Sequence, residues 1–301
     1  MAEDYPYTAF PMLLDLPQDR FYPQAMCRAM DAIKSSEMNG ILSDLRKSLS
    51  LKHPVNVDRM LLDGTVITSE GTKCELLTFG YNPTGARKRQ ITIFLAVTEG
   101  ENIPIHLRIA KGNVRAYRIF REILADLKSV KRTFTTIVDN GFITAESLSD
   151  LKKLELHIVT RLRHDSRVSK AVIRLVNGNF EEELYEYVVL ATNVPKHSNV
   201  DTMDSYTKHY DIESVYRTLK SDIEVEPIRH WKKHRVESEV FLCVLALMLR
   251  STLAILLREK AIPLSVNELL KKLEPVKLVE LNGKVMKESM GEESELLSRI
   301  V

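Results

Sequence analysis

Residues Arg89–Ala110 read RQITIFLAVTEGENIPIHLRIA, and this stretch decides the predicted fold. Two runs rich in β-branched and aromatic residues, Arg89–Thr98 and Ile103–Ala110, are separated by the polar residues 99–102, which is typical of two strands joined by a turn. The preceding stretch Val57–Thr68, VDRMLLDGTVIT, is also strand-like. The sequence therefore predicts three strands joined by turns as the first part of a sheet.

Downstream of these strands, helical and strand patterns alternate. A helix predicted at 114–128 precedes a short apolar strand at 134–138, and a helix at 145–153 precedes a strand at 155–162. A hairpin of two strands, 170–176 and 184–192, follows around Asn177-Gly178-Asn179. This order predicts an α/β fold in which a mixed sheet is flanked by helices.

Both ends of the chain are expected to be helical. Residues 21–50 have a helical composition, and the chain from residue 236 onward is mostly helical, with a capping box at 265–268 and a small hairpin at 277–286. We therefore expect an N-terminal helical segment over 1–56, a core over 57–225 with a β insertion at about 165–195, and a C-terminal helical region over 226–301.

The composition excludes several classes of protein. With 44% hydrophobic and 28% charged residues, the 301-residue chain has an ordinary globular composition, and its net charge of +2 is too small to indicate a partner. Its three cysteines are far apart, so a disulfide framework or zinc site is not expected, and a reducing cytoplasm is favoured. The N-terminus lacks the pattern of a signal peptide.

One apolar segment is long enough to suggest a membrane span. Residues Val240–Leu257 read VFLCVLALMLRSTLAILL, with Arg250 near the centre. A charge in the middle of a bilayer is costly. The sequence therefore favours a buried core helix, and no membrane partner, over a membrane anchor.

Residues 206–220, YTKHYDIESVYRTLK, predict an amphipathic helix that carries charged groups beside its apolar face. Tyr206, Glu213 and Lys220 recur every seven residues and therefore share one stripe, with His209 beside it. The adjacent apolar face contains Ile212, Val215, Tyr216, Leu219 and Ile223. Such a helix is either a solvated ion-pair surface or the wall of an active site.

Two further acids occupy positions typical of active-site carboxylates. Asp63 interrupts the strand at 57–68, and Asp139 ends the strand at 134–138, where a sheet flanked by helices forms its usual ligand crevice. Three converging carboxylates repel one another unless cations hold them, and oxygen ligands suit Mg²⁺ or Mn²⁺. The alternatives are that Asp63-Gly64 and Asn140-Gly141 are turns and that Glu213 is a surface charge.

The helix at 206–220 resembles the signature of DDE transposases of the IS-four superfamily. In that signature Tyr, Arg, Glu and Lys follow one another at the spacing found here, with His209 standing where the family has Arg. Other segments match in order between about residue 21 and about residue 257: residues 61–65 (LLDGT), 87–97, 111–113 (KGN), 138–142 (VDNGF) and 192–193 (TN).

The resemblance implies a ribonuclease-H-like catalytic core that cuts and joins DNA at insertion-sequence ends. It implies that the catalytic, metal-binding acids are Asp63, Asp139 and Glu213, holding Mg²⁺ or Mn²⁺ as two ions. It also implies a homodimer on DNA, which binds terminal inverted repeats and target DNA in the cytoplasm of a prokaryote, in association with the nucleoid. With only about 55 residues before the strand of the first acid, the chain resembles an N-terminally truncated copy.

A basic stretch is the best candidate for further DNA contact. Basic groups with an adjacent aromatic ring can bind phosphate and stack on a base. This stretch predicts DNA contacts at Arg229, Trp231, Lys232, Lys233 and Arg235. The resemblance implies further DNA contacts at Tyr206, His209 and Lys220. A second basic cluster at 161–167 is interpreted as a solvated turn.

Two other functions remain open. The chain could be a decayed transposase remnant that keeps the fold and only binds DNA. Less favoured is a membrane-associated protein anchored by the helix at 240–257.

Overall fold

A computed structural model describes residues 22–274, 277–281 and 284–288, except 83–84, 86, 164–165, 168 and 171–187. The chain divides into two compact units: Ser35–Met248, and a unit formed by the two ends, Met1–Lys34 with Leu249–Val301. The predicted three-part division of the chain stays a prediction.

A six-stranded sheet dominates the larger unit. Its order is β3-β2-β1-β4-β5-β6. Strand β2 is antiparallel to both of its neighbours, β1 and β3; β4 and β5 run parallel to β1, and β6 is antiparallel to β5. This confirms the predicted mixed sheet, and the order and directions are those of a ribonuclease-H-like fold. The strands are β1 (Arg59–Ser69), β2 (Arg89–Thr98), β3 (Pro104–Lys111), β4 (Thr135–Val138), β5 (His157–Arg161) and β6 (Leu190–Thr192).

The helices in the described part of the chain agree with most of the predicted positions. They are α1 (Pro23–Ala32), α2 (Ser35–Ser50), α3 (Ala116–Val130), α4 (Ala145–Lys153), α5 (Asn199–Thr207), α6 (Tyr210–Arg217), α7 (Lys233–Glu259) and α8 (Val266–Leu273). The N-terminal helical region is split between α1 and α2, because Ile33 adopts an extended backbone conformation.

One face of the sheet is covered by α3, whose apolar residues face the core. Phe120, Ile123, Leu124 and Leu127 are fully buried, at the spacing that places them on one side of a helix. They belong to a cluster that also contains Met60, Leu62, Phe94, Ala96, Ile105, Phe134, Val138, Phe142, Leu151, Leu156 and Ile158. Because side chains alternate along a strand, this cluster identifies which residues of β1, β4 and β5 point to the core and which point away.

Gly64 is required by the packing of this core. A Cβ atom at Gly64 would lie 2.7 Å from Cε1 of the Phe94 ring, which is closer than atoms can approach. Gly64 therefore lies on the core face together with Leu62. Asp63, between them, points to the opposite face.

The prediction of one continuous helix over Tyr206–Lys220 is wrong. Helix α5 ends at Thr207, α6 begins at Tyr210, and residues Thr218–Asp222 form a π-helical turn. A π-helical turn holds more residues than an α-helical turn, so residues seven apart no longer point in one direction. The predicted apolar face is nevertheless correct for Ile212, Val215, Tyr216 and Leu219, which are all buried.

Among the described residues, one helix is long and apolar enough to cross a membrane by length and composition. This helix is α7, and 44% of its most apolar window is buried. The buried residues of α7 include Val240, Phe241, Val244, Leu247 and Met248, whereas Leu249 is 72% exposed. The predicted core helix is therefore buried on part of its surface.

The smaller unit has its own apolar cluster. Leu257, Ile262 and Leu269 are buried together, and α8 begins with the predicted capping box between Ser265 and Glu268. Strands β7 (Lys277–Leu281) and β8 (Lys284–Glu288) form the predicted small hairpin.

The predicted hairpin around residues 177–179 lies outside the described residues. Only the end of its second strand is described, as β6, which pairs with β5.

Candidate active site

Two of the predicted acids lie side by side on the sheet. Strands β1 and β4 are parallel with Leu62 opposite Val138, and both of these residues point into the core. The next residue in each strand direction, Asp63 and Asp139, therefore lies on the opposite face in neighbouring positions. Asp139 keeps an extended backbone (φ −77°, ψ 165°), which continues the alternation just past the end of β4.

The third acid, Glu213, is brought to this face by α6. The hydroxyl group of Tyr216 donates a hydrogen bond to the backbone carbonyl of Asp63 at 2.6 Å and accepts one from the backbone N–H of Leu95 at 3.2 Å. These two bonds fix α6 over β1 at the level of the first acid. Glu213 lies one turn earlier on the same helix and is exposed.

Electrostatics show that the three carboxylates are near one another. Burial raises the pKa of Asp63 to about 7; a hydrogen bond from the Gly64 N–H opposes this rise, and the negative charges of Asp139 and Glu213 add to it. A carboxyl group whose charged neighbours are also carboxylates favours its protonated form. The negative charges of Asp139 and Glu213 therefore reach Asp63.

The chemistry of the acids fits a divalent cation, but their arrangement is open. Carboxylate oxygens are the ligands that Mg²⁺ and Mn²⁺ prefer. In the described part of the chain, however, no three His, Cys, Asp or Glu side chains are grouped closely enough to hold a metal ion. The three acids are thus close enough to interact electrostatically, but their carboxylates are not close enough to bind one metal ion together.

Two predicted DNA-contacting residues pack beside the acids. Tyr206 and His209 are 7% and 6% exposed, and their rings stack with centroids 5.8 Å apart and planes at 18°. Burial raises the pKa of Tyr206 to about 12, and the charge of Asp139 adds to the rise. Burial lowers the pKa of His209, whereas the charges of Asp139 and Glu213 raise it. Both rings therefore line the acid cluster.

A group of ion pairs holds α5 against the sheet. Glu99, just after β2, accepts from Arg59 at 2.7 Å and from Lys208 at 3.0 Å. Arg59 also donates a hydrogen bond to the Ser205 hydroxyl group. These contacts, which we name the Glu99 clasp, fix the junction between α5 and α6, on which His209 lies.

Lys220 lies away from the acids. It forms an ion pair with Glu226 at 3.8 Å, and Glu226 accepts from the backbone N–H of Thr68 at 2.9 Å. Thr68 is five residues beyond Asp63 on β1, a distance of about 17 Å along the strand. The π-helical turn therefore places Lys220 near the outer end of β1.

The predicted basic stretch, residues 229–235, is a non-helical connection over 229–232 that leads into the first turn of α7, and we name it the basic turn. Ile228 forms a bridge with Ser69, six residues beyond Asp63, which places the start of the turn about 20 Å along β1 from the first acid. Trp231 is 56% exposed, and the Nζ atoms of Lys73 and Lys232 lie 5.9 Å and 5.6 Å from its ring centroid.

Acidic residues neutralise part of the basic turn. Lys233 pairs with Glu75 at 3.0 Å, and Arg229 pairs with Glu224 at 3.9 Å. Arg235, the last residue of the turn, is half-buried on the first turn of α7.

Sequence reasoning missed two residues at the site. Tyr216 was interpreted only as part of an apolar face, and no local pattern reveals that its hydroxyl group links two strands. Arg161 was assigned to a solvated turn, although it is the last residue of β5. Its position resembles that of Asp139, which directly follows the last residue of β4. The rule that led to Asp139, a charged residue at the carboxyl end of a strand, would also have found Arg161.

Solved structures similar to the chain include a piggyBac transposase synaptic complex with hairpin DNA, at 12% identity over 87% of this chain and 67% of that chain, with a TM-score of 0.46. The Mos1 mariner paired-end complex with Mn matches at 11% identity over 69% and 71% of the two chains, with a TM-score of 0.26. No curated protein matches the chain.

These TM-scores are low, so the fold rests on the strand order and directions given above. The sequence itself provides the assignment. A family model described as "Transposase DDE domain" matches residues 58–249, which is more than half of the chain and includes Asp63, Asp139 and Glu213. The chain therefore belongs to the transposase DDE domain family, whose general role is DNA transposition.

Proposed function

We propose that the chain is a transposase of the IS-four superfamily, which cleaves DNA at insertion-sequence ends and joins the cut end to target DNA. The observation that carries this proposal is the convergence of Asp63, Asp139 and Glu213, from β1, β4 and α6, on one face of the sheet. Bringing three carboxylates together destabilises the folded protein through electrostatic repulsion. Packing of the core gives no reason for this arrangement. A carboxyl group whose pKa is raised by burial and by neighbouring carboxylates, as that of Asp63 is, is typical of a functional site.

The three carboxylates would hold Mg²⁺ or Mn²⁺, as one ion or two. When bound, the cations activate an attacking oxygen and neutralise charge on the leaving oxygen of a phosphodiester. The protein's own contribution is to present hard oxygen donors on a rigid sheet, with the backbone of Asp63 held by Tyr216. Cation binding is expected to draw the acids into a closed ligand set.

We infer that DNA lies along the extension of β1 and β2 beyond the acids. The basic turn is about 20 Å from Asp63 along this extension. Successive phosphates of one strand advance about 3.4 Å along the duplex axis, so about six nucleotides would separate phosphates at the two places. Trp231, Lys232 and Lys233 would then contact DNA beside the cleavage site, and Lys220 would lie between.

Strand cleavage tests the proposal. The substrate is a duplex carrying the inverted repeats that flank the coding region, incubated with Mg²⁺ and with wild-type protein, Glu213→Gln or Glu146→Gln. Glu146 is an exposed acid in the first turn of α4, so its variant makes the same change of charge elsewhere. We expect cleavage by wild type and Glu146→Gln and a loss of at least about 100-fold in Glu213→Gln. Equal cleavage by all three proteins would remove Glu213 from the mechanism.

The alternative, a remnant that only binds DNA, is favoured by one observation, the absence of a closed metal-ligand group among the described residues. Titration with Mn²⁺ separates the two functions. An active site should bind Mn²⁺ and lose this binding in Asp63→Asn. A remnant should bind the duplex equally with and without the metal.

The proposal includes a homodimer on DNA, in the cytoplasm of a prokaryote and with no membrane partner. Light scattering after size-exclusion chromatography, with and without the duplex, measures the assembly. Recovery of the protein from lysate without detergent tests the inference that α7 is no membrane anchor. A monomer on DNA would contradict the proposed homodimer. Recovery only with detergent would contradict the absence of a membrane partner.

A further inference from the structure

Arg161 continues the row of charged residues that begins with the two acids. Strands β4 and β5 are parallel with Val138 opposite Thr160, so Asp139 and Arg161 follow at neighbouring positions. Ile158 points into the core, and by alternation Thr160 does too, whereas Arg161 points to the opposite face. Asp63, Asp139 and Arg161 therefore lie in one row across β1, β4 and β5.

Contacts hold the guanidinium group beside the acids. Arg161 donates a side-chain hydrogen bond to Tyr206, and the ring of Tyr206 stacks on His209. Tyr206 lies on α5, which packs against β5 and β6. The guanidinium group is thus placed between the sheet and the helix that carries the two aromatic rings.

Arg161 supplies a permanent positive charge at this place. Guanidinium groups in general carry their charge at every physiological pH, whereas an imidazole such as that of His209 is charged only when protonated. His209 is buried, and within the described residues its Nδ1 atom has no hydrogen-bond partner. Lys220 pairs with Glu226 near the outer end of β1, and the basic turn begins beside the last residue of that strand. Both therefore lie farther from the acids than Arg161 does.

We propose that Arg161 binds the DNA phosphate that is presented to Asp63, Asp139 and Glu213. A guanidinium group matches the two non-bridging oxygens of a phosphate with parallel hydrogen bonds. Bound in this way, the phosphate is oriented toward the acids, and the guanidinium group offsets the negative charge that gathers there. This role deepens the proposed function and rests on it, because the ligand is the phosphate of the cleaved strand.

Two substitutions of Arg161 test this role. Arg161→Gln removes the charge, and Arg161→Lys keeps the charge without the forked geometry. Arg121→Gln is the matched control, because Arg121 is an exposed arginine on α3 whose side chain is 72% exposed. Circular dichroism and thermal melting identify variants that fail to fold, in which case Arg161→Lys provides the test.

Cleavage and salt dependence of binding are measured on the flanking-repeat duplex. We expect Arg161→Gln to cleave about 100-fold more slowly than wild type and Arg161→Lys about 10-fold more slowly, because a fixed donor is lost or misplaced. The slope of log affinity against log salt should fall by about one in Arg161→Gln, because one phosphate contact is removed. Arg121→Gln should leave both quantities unchanged.

The outcomes separate this inference from the proposed function. If wild type cleaves and Arg161→Gln cleaves within about threefold of Arg121→Gln, Arg161 has no such role while the acids keep theirs. If wild type and Glu213→Gln show the same cleavage, the proposed function fails, and the salt slope alone decides about Arg161. An unchanged slope in Arg161→Gln would then overturn phosphate binding.

Discussion

At the scale of single residues, the Asp63 carboxylate is proposed to bind metal in its charged form, and this same charge destabilises the folded protein. Its carboxyl group is partly buried, and its pKa is raised to about 7 by burial and by Asp139 and Glu213. Between about pH 4 and pH 7 the folded protein holds a proton that the unfolded chain releases. The contribution of Asp63 to the free energy of unfolding therefore falls as pH rises through this window.

We predict that Asp63→Asn stabilises the metal-free protein. The amide keeps the shape of the side chain and removes the buried charge, so the free energy of unfolding at pH 8 should rise by about 1–3 kcal/mol. Urea denaturation, with and without Mn²⁺, measures this change. Mn²⁺ should stabilise wild type but not the variant. A less stable Asp63→Asn without metal would show that the carboxylate is not destabilising.

His106 has the opposite effect on stability. It is 2% exposed, and its pKa is lowered to about 4 because burial disfavours the imidazolium, although Asp126 opposes the shift. As pH falls from about 6.5 to about 4, the unfolded chain gains a proton that the folded protein does not. Stability is therefore lost as pH falls through this window.

We predict that His106→Gln removes this loss at low pH. Wild type should lose up to about 3 kcal/mol between pH 6.5 and pH 4 through His106, and the variant should not. Urea denaturation across this range measures the slopes. Asp63→Asn should steepen the loss of stability as pH falls, since the two residues act with opposite sign. Parallel curves for wild type and His106→Gln would contradict the assignment.

At the scale of elements, the break between α5 and α6 is held by the Glu99 clasp. Glu99 has a side chain that is 11% exposed and accepts from two cations, Arg59 and Lys208. Ion pairs that are partly buried depend on both partners, because removing one leaves the other charge without compensation. The position of α5, and with it that of Tyr206, depends on this contact.

We predict that Glu99→Gln lowers the free energy of unfolding by about 1–3 kcal/mol. The matched control is Glu70→Gln, which breaks the exposed pair between Glu70 and Lys88 at 2.6 Å and should leave the free energy of unfolding nearly unchanged. Urea denaturation at pH 7 compares the two variants. Equal losses would mean that the clasp is an ordinary surface ion pair.

At the scale of the larger unit, β1 connects the acids with the basic turn. Asp63 lies near the level at which β4 ends, whereas Ser69, at the far end of β1, bridges Ile228 just before the basic turn. One strand thus sets the distance between the proposed cleavage site and the second place where we propose that DNA is bound. A duplex must extend beyond the cleavage site to reach both.

We predict that replacing Lys232 and Lys233 by Gln weakens binding only to a long duplex. On a duplex that extends at least about six base pairs past the cleavage site, the slope of log affinity against log salt should fall by about two. On a duplex that ends earlier it should not change. Replacing Lys152 and Lys153 on α4, both exposed, is the control. The same weakening on both duplexes would contradict this path.

The fold could be predicted from sequence where local pattern decides it. The strands at 57–68, 89–98 and 103–110 were predicted close to their observed bounds, because their β-branched and aromatic composition and the short turn between the last two are local properties. The connection between the first two strands, residues 70–88, is longer than the predicted turn. The helix over Tyr206–Lys220 was not predicted correctly. The backbone stays right-handed and helical through the break and the π-helical turn, so the spacing of apolar residues gives no sign of either.

The sequence by itself determined the residue types for the site, namely acids placed in and just after strands and a third acid on an amphipathic helix. It also determined the family, through motifs in a fixed order. Only the tertiary structure decided that Arg161 joins the row of Asp63 and Asp139, that Tyr216 fixes α6 over β1, and that Lys220 lies near Thr68. The physical reason is that these relations depend on strand register and helix docking, which are set by contacts between residues distant in sequence.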